Sequence, residues 1–142
     1  MSSPVALPEP LVTLPEPLVA LLRAPSPCFV ATVEPDGAPQ LTQTWIDTDG
    51  HDLLLNTVEG HRKLANIKRD PRVVVNVCDR ADLSRYWNLR GHVVDTTSDG
   101  AADHIERLSQ RYTGAPYQNY GGRTGGRVLV RIAVDRIVQQ PW

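Results

Sequence analysis

Cysteine is scarce in this chain. Its two, Cys28 and Cys78, lie far apart within apolar runs, "PCFVATV" and "VVVNVCD". Neither has the C-x-x-C partner that zinc or dithiol chemistry uses, so both read as reduced core thiols. A surplus of charge is also missing. Lys and Arg number 15 against 16 Asp and Glu, a net charge of −1. No whole-molecule field therefore draws the chain to nucleic acid or an anionic membrane, and any bound anion must be recognised locally. Long apolar runs are absent near the start, where Pro4, Pro8, Pro10, Pro15 and Pro17 interrupt every candidate leader or anchor. The expected location is the cytoplasm. His51, His92 and His104 lack ligand spacing, so no metal is expected.

What remains is ordinary for a soluble domain: 142 residues, 41% hydrophobic and 22% charged, enough for one core. The hexapeptide "LPEPLV" occurs twice, at Leu7 to Val12 and Leu14 to Val19. Prolines this dense exclude one helix through both copies. Pro15 and Pro17 suit the start of a helix through Leu18, Leu21 and Leu22. Residues 1–14 are expected to form a flexible arm and 15–142 a single domain.

From Pro27 the pattern turns to strands. "CFVATV", "QLTQTWID" and "DLLLNTV" are separated by turns carrying Asp36-Gly37 and Asp49-Gly50, the signature of a meander. A helix follows Gly60, with Leu64 and Ile67 facing inward, and Asp70-Pro71 ends it. "RVVVNV" is a fourth strand. "SRYWNLRGHVVD" is a fifth, with Tyr86, Asn88, Arg90 and His92 on one face and Trp87, Leu89, Gly91 and Val93 on the other. In "SDGAADHIERLSQRY" the spacing of Ala101, Ile105, Leu108 and Tyr112 predicts a helix capped by Ser98 or Asp99. "RVLVRIAVDRIVQ" closes the chain as a long strand with Val128, Val130, Ile132 and Val134 on one face. Six strands in short hairpins with inserted helices predict a mainly β fold with α, a six-stranded antiparallel barrel with flanking helices.

One stretch resists a purely structural account. "EGHRKLANIKRDPRV" opens its helix with His61, Arg62 and Lys63, although the free N–H groups there already carry partial positive charge. Together with "FVATVEPDGAPQLTQTWIDTDGHDLLLNT", "YWNLRGHV" and "RIAVDRIV", it resembles the pyridoxamine-phosphate-oxidase-like split β-barrel family, in its flavin and deazaflavin oxidoreductase branch. The pieces span most of residues 27 to 138. The resemblance implies a homodimer with cofactor sites in grooves between subunits, each taking an isoalloxazine-type ring and its phosphate. An anion at the helix start would make the cations favourable.

By the same resemblance, Gln43, Thr44 and Trp45 are expected beside the ring and Asn56 and Thr57 at its edge or tail. His61, Arg62, Lys63 and Asn66 are expected at the phosphate, and Tyr86, Trp87 and Arg90 near the dimer seam. The branch pattern Arg-x-Lys-x-x-Asn has His61 in its Arg position here, and Thr44 stands where Pro commonly precedes an aromatic. Tyr112, Tyr117 and Tyr120 are candidates for the substrate side or a lid. Trp87 also suits the barrel core, and Arg90 an ion pair with Asp79 or Asp95. The implied activity is hydride transfer between coenzyme F420 and a planar organic substrate. The alternatives are an FMN-dependent oxidoreductase and a non-catalytic carrier of a cofactor or haem.

Overall fold

Residues 39–48 govern the architecture. In the computed structural model, which describes residues 12–119 and 125–141, this run serves two different edges of one sheet. Pro39–Gln43 (β2) pairs antiparallel with Cys28–Val33 (β1), whereas Ile46–Thr48 (β3) pairs antiparallel with Leu53–Val58 (β4). Arg72–Cys78 (β5), Tyr86–Thr97 (β6) and Arg127–Gln139 (β7) complete a sheet of order β2-β1-β5-β6-β7-β4-β3. Its two outermost strands are thus separated in sequence only by Thr44 and Trp45. The sheet must curl until its edges approach at that dipeptide, which is how a barrel protects strand edges. The structure is the split β-barrel expected from sequence, with the second of six strands broken so that seven segments are seen.

Period-two alternation fills the interior. Burial alternates along β1 and along the first part of β7, where Val128, Val130, Ile132 and Val134 face inward as predicted. On β6, Trp87, Leu89 and Gly91 are buried while Tyr86, Asn88 and Arg90 face outward. All six residues of β4 are buried, because helices cover the strand's outer face.

Three helices pack on this frame. Glu16–Leu22 (α1) has Pro17 in its first turn, where a missing N–H costs nothing. Leu14, Leu18 and Leu22 recur every four residues and enter the core. The burial of Leu18 and Leu22 is complete and contributes about 1.5–3 kcal/mol per side chain. Of the expected arm, residues 1–11 lie outside those described. Arg62–Arg69 (α2) buries Leu64 and Ile67, as predicted, and contacts β1 and β4. Ala101–Thr113 (α3) contacts β4 and β7. Its N-cap is neither Ser98 nor Asp99 but Gly100, at φ +74° and without a side-chain cap. The left-handed turn carries the chain from β6 into the helix at a conformation costly for other residues. No described helix is long and apolar enough to cross a membrane.

Candidate functional site

The gap between β2 and β3 opens a cavity of about 480 Å³, within the usual range for small-molecule sites of roughly 300–1,000 Å³. Four of the expected ring residues, Gln43, Thr44, Trp45 and Asn56, line it. The Thr44 N–H donates to the Cys28 carbonyl at 3.0 Å, a bond that proline could not make. Trp45 stacks on Tyr112 with ring centroids 5.4 Å apart and planes 15° from parallel. The Tyr112 hydroxyl donates to the Ser26 carbonyl at 2.7 Å and accepts from the Ile46 N–H at 3.2 Å. It thereby fixes one wall of the cavity. Thr57, one residue beyond Asn56 on β4, is buried and points to the opposite face.

The basic turn of α2 separates its cations. Gly60 has φ +89°. His61 is the N-cap, and its Nδ1 accepts from the Lys63 N–H at 3.0 Å, so an imidazole fills the usual role of a Ser or Asp oxygen. Arg62 is exposed and pairs with Glu34 at 3.3 Å. Lys63 turns inward and is only 3% exposed. Among the described residues its ammonium makes no hydrogen bond or ion pair.

Burial pushes Lys63 down to about 8, Cys28 opposes that shift, and Arg127 adds repulsion. Burial also raises the Cys28 thiol to about 12. Cys28 is therefore uncharged at neutral pH and cannot serve as the lysine's counter-ion. Asn66 is buried, with its amide donating to the Thr32 hydroxyl at 3.0 Å and accepting from Arg69 at 3.1 Å. Among the expected phosphate group, Arg62 is tied up at the surface and His61 and Asn66 within the fold. Lys63 retains an unmatched charge.

Sequence reasoning missed a second charged group. Arg127, at the start of β7, lines the cavity and donates from Nε to the Asn56 Oδ1 at 2.8 Å and from Nη1 to the Tyr117 hydroxyl at 3.2 Å. Asn56 Nδ2 lies 2.8 Å from the Ala101 carbonyl and 3.1 Å from His104 Nδ1. His104 Nε2 lies 3.1 Å from the Asp47 carboxylate, whose other oxygen accepts from Arg111 at 2.9 Å. Burial raises the Asp47 carboxyl, but bonds from His104 and Arg111 outweigh it and bring the group to about 2. The one sequence signal was His104 on the apolar face of α3; its partners come from β3 and β4, which only folding brings near.

The β6 group lies elsewhere. Trp87 is a core residue, buried to 6%, while Arg90 borders a separate outer groove with Arg72, Asp135 and Arg136. Neither Trp87 nor Arg90 lines the central cavity of its own chain, and neither does Tyr86. Among the described residues Arg90 forms no ion pair with Asp79 or Asp95. Of the three tyrosines expected on the substrate side or as a lid, Tyr112 and Tyr117 line the cavity and Tyr120 lies outside the described residues. No three His, Cys, Asp or Glu side chains cluster as a metal site among those residues.

Residues 14–140 match the family described as pyridoxamine 5'-phosphate oxidase. No curated protein matches the chain. Among solved structures, one described as an F420 reductase is 31% identical, with a TM-score of 0.77 over 89% of this chain and 100% of that one. The conserved hypothetical protein Rv2991 from Mycobacterium tuberculosis is 25% identical, with a TM-score of 0.62 over 89% and 84%. HupZ from Group A Streptococcus, at 18% identity and TM-score 0.62 over 91% and 98%, shares the fold.

Proposed function

Because the chain belongs to the pyridoxamine 5'-phosphate oxidase family, we propose that it is an oxidoreductase that holds deazaflavin coenzyme F420 in the cavity beside Trp45 and exchanges a hydride with a planar organic substrate. The observation that carries this reading is Lys63: it does not itself line the cavity, but its inward-turned side chain has no counter-ion among the described residues and interacts electrostatically with Cys28 and Arg127, which do line it, so an anion entering there stabilises it. A phosphate meets that need, and the Trp45 and Tyr112 wall suits a flat ring. The choice of F420 over FMN rests on the likeness to the F420 reductase.

The bound ring supplies the hydride chemistry, and the protein supplies position and electrostatics. In this division of labour Lys63 holds the anionic tail. Gln43, Thr44 and Trp45 set the depth of the ring by lining the gap between β2 and β3. Asn66 keeps α2 against β1 through Thr32. A second copy of the chain is part of the same proposal. Leu41, Ala31, Val74 and Arg90 stand in one row across β2, β1, β5 and β6. Leu41 is 67% and Val74 43% exposed, an apolar strip suited to self-association.

Titration with F420 and with FMN, followed by ring fluorescence, tests the reading. F420 is expected to bind more tightly, and Lys63→Ala to weaken it about 10- to 100-fold through loss of a charge-assisted contact. Tighter binding of FMN would replace the carrier. Indifference to Lys63→Ala would remove the site.

A further inference from the structure

We infer that Arg127 is the cavity's recognition residue for an oxyanion of the ligand, and that Asn56, His104 and Asp47 are positioning residues that set its guanidinium. The inference rests on the reading of this cavity as a ligand site, and assigns within it a residue and a relay that the sequence did not single out.

The geometry points one way at each link. Arg127 is half-buried at the cavity wall, and no carboxylate pairs with it among the described residues. Among the described residues only Nε and Nη1 have protein partners, Asn56 and Tyr117, and the guanidinium lies 5.2 Å from the centre of the Tyr117 ring. A guanidinium has five N–H donors, so donors remain for an oxyanion. Asn56 cannot turn its amide over. The flip would set its oxygen against the Ala101 carbonyl and the His104 Nδ1 lone pair. The Asp47 carboxylate can only accept, so the Nε2 beside it is the donor and Nδ1 faces the Asn56 amide. Arg111 holds Asp47 in turn. The hydrogen-bond chain from Asp47 through His104 and Asn56 thus sets the guanidinium of Arg127 at the cavity wall, where its remaining donors are available to an oxyanion.

The oxyanion is a phosphate of the cofactor or a carboxylate of the substrate, and two binding measurements separate them. The first is the ratio of dissociation constants for the phosphate-free ring-ribityl fragment of F420 and for F420 itself, with riboflavin and FMN as the flavin pair. The second is benzoate binding to the cofactor-loaded protein. Arg127→Gln is expected to reduce one of these about tenfold or more, with affinity for the uncharged fragment unchanged. His104→Leu should reproduce the same loss. His104→Gln, which accepts from Asn56 and donates to Asp47 through its amide, should restore the wild-type value, which a role only in anchoring α3 would not require.

Wild-type values for Arg127→Gln in both measurements would overturn the assignment, and an unaffected, folded His104→Leu would overturn the relay. If His104→Leu does not fold, Arg127→Gln and Arg127→Lys decide the central claim, with Lys expected to recover part of the loss. Failure of the wild type to bind any ring compound would sink the cofactor reading separately. Protection against thermal unfolding by inorganic pyrophosphate, lost in Arg127→Gln, would then still support the anion site, and equal protection of both would end it.

Discussion

At the scale of single residues, Lys63 shows how function can be stored as a local cost. Its neighbour Arg62 spends its charge on an exposed pair with Glu34, a contact worth at most about 1 kcal/mol. Lys63 is turned by about 100° around the helix from Arg62 and enters the fold. The value of about 8, against 10.5 for a free lysine, means that the unfolded chain binds the proton more tightly. Below pH 8 both states are charged and the folded state bears the full cost, of the order of 3 kcal/mol. Between pH 8 and 10.5 the folded lysine loses its proton first, so stability rises with pH through that window. Urea unfolding of the ligand-free protein is expected to show this rise, and Lys63→Met to abolish it while stabilising the protein at pH 7. A Lys63→Met variant with the wild-type pH profile would rule out this account. The sequence flagged both cations; a helix's angular step then decided which one served the interior.

At the scale of elements, the crossing of β6 and β7 is the most constrained. Their register shifts three times, once between Arg90 and Gly91, and these bulges let two long strands bend with the barrel. A Cβ on Gly91 would lie 2.4 Å from the Ala133 carbonyl oxygen and 2.9 Å from Ile132 Cγ2. Backbone on the facing strand cannot move aside cheaply. Gly91→Ala is expected to lower stability by about 3 kcal/mol, measured as a shift in the urea midpoint with an unchanged slope. The alternation on β6 made its two faces readable in the sequence, but each carries a large aromatic, and only packing set Trp87, Leu89 and Gly91 inward. The bulges were not readable, because a one-residue slip depends on the partner strand. The cap of α3 escaped for a similar reason. Ser98 and Asp99 are good capping residues, yet the exit direction of β6 brings Gly100 to the turn.

For the whole molecule, curling of the sheet turns a strand break into a site. Because β2 and β3 belong to opposite edges, the dipeptide Thr44-Trp45 must bridge them, and the cavity lies where the ladder is interrupted. The row of Leu41, Ala31 and Val74, exposed at Leu41 and Val74, lies on the outer surface of the same sheet. If that row joins two copies, Leu41→Asp combined with Val74→Asp is expected to yield monomers in sedimentation velocity, with F420 affinity reduced where the partner completes the groove. A wild-type protein that sediments as a monomer at micromolar concentration would exclude this surface as the seam.

The sequence by itself determined the element types and the inward faces of α2, α3 and β7, since periods of 2 and 3.6 in the apolar pattern depend only on backbone geometry. It also marked the basic turn after Gly60 as a place where charge ran against the helix dipole. Only the tertiary structure decided which charges meet. Asp47, His104, Asn56 and Arg127 come from four different elements, so no spacing in the chain encodes their contact. Burial then changed their chemistry: the same lysine that would be solvated on a free helix becomes an unmatched cation once β1 and β4 close over it.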